Sequence, residues 1–381
     1  MVKASAAVKP DWPVRAPGHG RVARAGWEAT RMGLGLPPRR CSLGAERATA
    51  PAGARQGEAN MAHTDTQEIR ELAAMPGEPT HRGFESLRPI GTIESKIFSH
   101  IDPRPIVPAL GAEISGIDLS RAGPAAREEL KQALADRKVL VFPDQDLSPH
   151  QYADFLKIFG TPVKEDIAVD ENHPPEVGAI HTRPNEQQQI NYWHMDHSFR
   201  ELPTRVLSLY AKLLPPAGGD TLFASLSAAY DALSDEMKER IEGLHCDHRM
   251  TPTQNTKRRY TKEQAEAMAN APPIVHPLVA RDPGNGRPYL FVNVPIYCRG
   301  ISELPNAEGD ALLRKLYRHV QRPEFHFRLI WRPNTVVVWE NNHTLHYPVS
   351  DYFPHERKLW RGVIEATEAD RPTAAGPRGR I

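Results

Sequence analysis

The chain has 381 residues, 25% of them charged, with 48 Lys/Arg against 47 Asp/Glu. That length is ample for one large domain with a full core, because folds of about 300 residues remove roughly three quarters of their unfolded surface from water. Residues 1–60 hold ten Lys/Arg and four Asp/Glu, so the rest is mildly acidic, which argues against a nucleic-acid binder. No apolar run approaches the roughly 18 residues of a membrane span. Cys41, Cys246 and Cys298 include no Cys-x-x-Cys pair, which argues against a disulfide framework and for a reducing, cytoplasmic setting.

Residues 1–60 are rich in Ala, Gly, Arg and Pro and show no periodicity, so they read as a disordered extension. Their scarcity of serine favours an upstream extension of the reading frame, with Met61 as the start, over a transit peptide. Residues 61–91 read as a linker, 92–370 as the folded domain and 371–381 as a tail.

From 106 to 119 apolar residues alternate with Gly turns, as in short strands. Gly123-Pro124 opens a helix over 125–136, residues 138–142 form a buried strand, and Ser148-Pro149 caps a second helix whose apolar face runs from Tyr152 to Phe159. Strands are expected over 206–213, 221–223, 289–292, 325–330, 335–339 and 359–364, with helices over 226–244 and 307–320. Segments 164–189 and 249–275 read as loops, the first a candidate lid. The chain has 36 prolines, well above the usual share of about 5%, which suits many short strands joined by loops. The fold class is thus mainly β with helical insertions: a jelly roll or double-stranded β-helix of the cupin-like kind.

His194-Met195-Asp196 is the first chemical signal. In an extended segment alternate side chains share a face, so His194 and Asp196 point together. With one distant imidazole, His346, they make the two-His, one-carboxylate set that leaves part of an octahedral iron open. The same parity rejects His194 with His197, and His343 with His346, as chelating pairs. His245-Cys246-Asp247-His248 lacks a second ligand pair at finger spacing and reads as a polar strand.

Further motifs follow in order: 110–119 (LGAEISGIDL), Trp193-His194-Met195-Asp196, Gly218-Gly219-Asp220-Thr221, Phe291-Val292-Asn293, Trp331-Arg332-Pro333, Trp339-Glu340-Asn341, His346-Tyr347, Asp351-Tyr352, then Arg357 and Arg361. Over residues 106–366 the chain resembles the taurine/2,4-dichlorophenoxyacetate dioxygenase family of Fe(II)- and 2-oxoglutarate-dependent oxygenases. The resemblance implies iron on His194, Asp196 and His346, and 2-oxoglutarate decarboxylated to succinate with O2 as oxidant and ascorbate as reductant in vitro. It implies that Arg357 and Thr221 meet the far carboxylate of 2-oxoglutarate, for which a guanidinium fork is suited. Arg361 and the backbone N–H of His197 would meet the head of a small organic anion: an alkyl sulfonate, a sulfate ester or an aryloxyalkanoate. A homo-oligomer, dimer or tetramer, is also implied.

Two features of the residues bear on that substrate. Arg361 sits in an otherwise apolar strand, where an unpaired charge is costly, so either a bound anion or an internal Asp/Glu must meet it. Five and six residues past Gly160, where taurine-type enzymes place a substrate-binding His, this chain has Glu165 and Asp166. A zinc hydrolase and a non-catalytic metal-binding module use the same ligand set and stay open at this point.

Overall fold

The structure is a computed structural model describing residues 96–165, 173–188, 190–250 and 261–374. The expectations for 1–60, for 61–91 and for most of 371–381 lie outside the described residues.

Two facing sheets form the centre. The larger has the strand order β1 (Pro103–Pro105), β2 (Ala112–Ile114), β3 (Val139–Phe142), β13 (Val336–Glu340), β5 (Val206–Leu213), β15 (Arg357–Ile364), β4 (Gly178–Thr182). Only β2 and β3 pair in parallel. The smaller sheet has the order β12 (His326–Leu329), β6 (Thr221–Ser225), β14 (Thr344–Pro348). From β5 to β6, and from β12 through β15, successive strands alternate between the two sheets. That alternation is the winding of a double-stranded β-helix. Outside it lie a three-stranded sheet, β11 (Cys298–Ile301), β7 (His245–His248) and β8 (Ile274–Pro277), and the pair β9 (Val279–Arg281) and β10 (Pro288–Leu290).

Strand parity decides what each face of the large sheet touches. Val139, Val141, Leu207, Leu209, Val337, Trp339, Leu359 and Val363 face inward, against Phe223, Phe327, Leu329 and Leu345 of the small sheet. The rings of Phe223 and Trp339 meet across this interior at 5.2 Å. Leu140, Phe142, Val206, Tyr210, Val336, Val338, Trp360 and Ile364 face the other way. There they meet Leu130 and Leu134 of α1 (Pro124–Arg137) and Tyr152, Phe155 and Leu156 of α2 (Pro149–Leu156). Helix α2 starts where the sequence places it: Ser148 Oγ accepts from the Gln151 N–H, and Gln151 Oε1 accepts from the Ser148 N–H, a reciprocal cap ahead of Pro149.

On β15 the parity that buries Leu359 and Val363 also turns Arg357 and Arg361 toward the interior. Gly362, between Arg361 and Val363 and in phase with the outer face, lets α2 lie close: a Cβ there would fall against the side chain of fully buried Leu156. Gly362→Ala is therefore expected to cost about 1–3 kcal/mol through overpacking. Urea denaturation checks it, and an unchanged midpoint would show that Leu156 has room to move.

Several elements differ from the sequence reading. The helix expected over 226–244 is two short ones, α3 (Leu226–Asp231) and α4 (Asp235–Ile241). Ser234 Oγ accepts from the Met237 N–H, capping a new helix where a continuous one was expected. The segment 164–189 is not wholly loop, since β4 runs antiparallel to β15 as the edge strand of the large sheet. Segment 249–275 contains α5 (Lys262–Asn270). The helix expected over 307–320 is α6 (Asn306–Val320), and the polar 245–248 run is strand β7, as expected. Cys246 and Cys298, 52 residues apart, are bonded as a disulfide, against the expectation of unpaired thiols. The antiparallel pairing of β7 with β11 brings them together, and no sequence spacing encodes that pairing.

Candidate active site

His194 and His346 face each other across one isolated antiparallel bridge, with reciprocal backbone hydrogen bonds of 2.9 and 2.8 Å. Directly opposed residues send their side chains to the same side, and the two imidazoles lie 4.1 Å apart, centroid to centroid. Asp196 completes the set. Its Oδ1 is 3.4 Å from His194 Nε2 and 4.0 Å from His346 Nε2, so three donor atoms converge on one point.

The chain leaves regular pairing after His194, and two asparagines take over. Asn293 accepts from the Met195 N–H and donates to the Met195 carbonyl and to Ser198 Oγ. Asn341 accepts from the Asp196 N–H and donates to the Asp196 and Thr204 carbonyls. Both are almost fully buried, so the loop's polar backbone is satisfied and held rigid where a ligand must not wander. The motifs ending in Asn293 and Asn341 were visible in the sequence, but their clamping role was not. Only the fold shows which backbone they face.

Electrostatics favour a cation at the convergence point. Burial alone would raise the Asp196 carboxyl, but the His194 hydrogen bond, Arg361 and His346 outweigh it and hold it well below the usual range. Burial, with His194 beside it, pushes His346 down to about 3, so this imidazole is neutral at physiological pH. His194 Nδ1 donates to the Tyr192 carbonyl at 3.0 Å, which turns its Nε2 toward Asp196 and the convergence point. One carboxylate and two imidazoles converging on one point fit the facial set of non-haem Fe(II).

A second polar centre lies on the same interior surface. Arg357 is 4% exposed, and two of its nitrogens, Nε and Nη2, are buried without a hydrogen-bond partner. Among the described residues no carboxylate lies within ion-pair distance of it; its guanidinium sits near the faces of Trp331 and Tyr352 at 5.8 and 5.7 Å. Thr221, at the start of β6, is buried and accepts from Trp331 Nε1 at 3.1 Å, so Trp331 joins the threonine to the arginine. Gly219 (φ +71°) passes so close that a Cβ would lie 3.0 Å from Arg357 Cδ, and its N–H donates to Asp351 Oδ1. A buried guanidinium with two of its three nitrogens unpartnered is costly. A carboxylate of the 2-oxoglutarate type relieves that cost, and the residues present fit it.

Arg361 differs. Its Nη1 donates to both oxygens of Glu165, at 3.1 and 2.8 Å, and its Nη2 to Asp196 Oδ2 at 2.9 Å. The internal carboxylate left open by the sequence is thus Glu165, and together with Asp196 it outweighs burial and keeps the guanidinium charged. His197 takes a left-handed backbone (φ 55°), and its Nδ1 lies 2.7 Å from Thr204 Oγ1. His343 points elsewhere, toward Asp282 and Tyr289, as expected, although it ends a 3-10 helix (Asn341–His343) and does not lie in a strand. Asp166 lies outside the described residues.

Residues 102–363 match the family described as taurine catabolism dioxygenase TauD, TfdA family. The alpha-ketoglutarate-dependent 2,4-dichlorophenoxyacetate dioxygenase of Cupriavidus pinatubonensis is 31% identical over 265 residues, covering 64% of this chain and 90% of that protein. A putative alpha-ketoglutarate-dependent sulfonate dioxygenase of Schizosaccharomyces pombe is 30% identical over 263 residues, which is 66% of each chain. Among solved structures, AAD-2 in complex with Mn(II) and N-oxalylglycine superposes with a TM-score of 0.60 at 31% identity, covering 72% of this chain and 99% of that one. A taurine dioxygenase from Burkholderia xenovorans gives 0.61 at 29% identity, covering 74% and 95%. The chain belongs to the TauD/TfdA family and is an Fe(II)- and 2-oxoglutarate-dependent dioxygenase.

Proposed function

We propose that His194, Asp196 and His346 hold the iron, that Arg357 and Thr221 grip the far carboxylate of 2-oxoglutarate, and that the enzyme hydroxylates a small organic anion. The overall change is substrate C–H plus 2-oxoglutarate plus O2 to substrate C–OH plus succinate plus CO2, with ascorbate serving as a reductant in vitro. The observation that carries this reading is the pairing of the three-ligand corner with Arg357, a buried cation that lacks a carboxylate among the described residues. When bound, iron supplies the open positions at which the co-substrate and O2 react. The chain's own part is to orient and to exclude water. Asn293 and Asn341 fix the ligand loop, Trp331 and Tyr352 wall off the Arg357 end, and Trp193 and Met195 are buried behind the ligands.

The substrate class rests on the relatives. Two that resemble this chain act on 2,4-dichlorophenoxyacetate and on (S)-phenoxypropionate, and a third is an alkylsulfatase. Arg361 is the cation nearest the ligand corner, and Glu165 already holds it. An incoming anion must share Arg361 with Glu165, which weakens the hold on every singly charged head group, carboxylate, sulfonate or sulfate ester alike. At about 5 Å and an effective dielectric near 20, one like charge costs on the order of 3 kcal/mol before solvent screening. Glu165→Gln is therefore expected to raise kcat/KM for anionic substrates about tenfold or more. Equal rates in the parent and the variant across a set of sulfonates and carboxylates would remove Glu165 from the specificity argument.

The defining experiment is succinate release across aryloxyalkanoates, alkyl sulfonates and sulfate esters with Fe(II), 2-oxoglutarate, ascorbate and O2. Substrate-dependent succinate is expected, and none under nitrogen. Turnover without O2 or 2-oxoglutarate would favour a zinc hydrolase on the same three ligands.

A further inference from the structure

The three-stranded sheet outside the β-helix gathers a second set of metal-ligating side chains that the dioxygenase reaction does not use. Cys246 and His248 are two apart on β7 and share a face, and Cys298 on β11 is the register partner of His248. The two sulfurs are joined, and Cys298 Sγ lies 4.0 Å from His248 Nε2. One ligand atom from each of the three residues can be chosen so that all lie within 4.8 Å of one another. All three residues are buried, at 0%, 0% and 2% exposure.

His248 is the part that a disulfide leaves unexplained. Its Nδ1 is buried with no hydrogen-bond partner, and its ring is walled by His276 and Phe291 at 5.2 and 5.3 Å. A structural crosslink between two strands needs no imidazole beside it, yet His248 turns Nε2, the nitrogen that can ligate, toward the Cys298 sulfur. Two sulfurs and one imidazole on rigid strands supply three of the four donors of a tetrahedral thiophilic ion, the fourth being left to water or an added ligand. The opposed strands hold the donors in place without a loop having to order.

We propose that, in the reduced protein, Cys246, Cys298 and His248 bind one thiophilic divalent ion of the Zn(II) class, and that the disulfide is the metal-free form of the same site. Conversion balances with an external thiol or phosphine reductant. Two electrons from the reductant break the S–S bond, two protons make two thiols, and metal binding then releases those two protons. The site shares no residue with the iron corner and contains sulfur, which that corner lacks.

Cobalt(II) separates the two sites, because only sulfur ligands give an intense near-ultraviolet charge-transfer band. The full-length protein is reduced with a phosphine, its thiols are counted, and Co(II) is titrated in. The expected result is a thiolate band that saturates at one equivalent, bleaches on adding Zn(II), survives in Asp196→Ala and is missing without reduction. Cys298→Ser should abolish the band. His248→Gln, which keeps both thiols, should weaken Co(II) binding at least tenfold and covers the case in which the serine variant fails to fold. Reduced, folded protein that shows no such band overturns the proposal. So does a disulfide that the phosphine opens only as the chain unfolds, since the pair is then a structural crosslink alone.

Discussion

Asp196→Ala abolishes succinate formation and lowers Fe(II) affinity by at least 10²-fold, measured by anaerobic iron titration and by succinate release. Loss of an outer-sphere partner already costs roughly 10–100-fold in metal affinity, and Asp196 supplies one of the three donor atoms themselves. The substitution also frees Arg361 Nη2 from the Asp196 Oδ2 bond at 2.9 Å, leaving a guanidinium beside the vacated corner. That positive charge repels a cation, so metal affinity falls further than the loss of a donor atom alone explains. The double variant Asp196→Ala/Arg361→Ala is expected to regain part of the iron affinity but none of the turnover. Unchanged succinate formation in Asp196→Ala would end the assignment of the ligand set.

Arg357 carries the second large effect. Truncating one partner of a buried, charge-assisted pair costs about 2–5 kcal/mol, so Arg357→Gln is expected to raise the KM for 2-oxoglutarate by roughly 10²–10³-fold. Iron affinity should hardly move, because Arg357 forms no bond with the three ligands among the described residues. Arg357→Lys should recover only part of the loss, since an ammonium is a point charge and cannot fork around a carboxylate. A stability measurement adds an independent check. Without co-substrate the buried guanidinium is a cost, so Arg357→Met should raise the denaturation midpoint of the protein free of 2-oxoglutarate. A variant with wild-type KM, or a drop in that midpoint, would place Arg357 among structural residues.

Much of the site was legible in the sequence because strand geometry is periodic. Parity paired His194 with Asp196 and parted His343 from His346; both outcomes hold, but through a turn at Asp196 and a 3-10 helix over Asn341–His343 rather than through strand pleat. Parity also put Arg357 and Arg361 on one side of β15. Parity says nothing about what lies opposite. Glu165, 196 residues from Arg361 in sequence, meets it because Pro162 and Val163 just before it lie along the end of β15, in the stretch leading into the expected lid. The clamps from Asn293 and Asn341 were hidden for the same reason, since each reaches a backbone about 98 or 145 residues away.

The sequence by itself determined the local matters: where most strands run, that Ser148 caps a helix, which ligand types occur and which of them share a face. These follow from steric and hydrogen-bond rules acting within a few residues. Tertiary structure decided which distant groups meet: His346 across from His194, Glu165 on Arg361, and Cys298 against Cys246. The physical reason is that strand pairing is set by burial of whole faces over the entire chain, so no local window contains the partner.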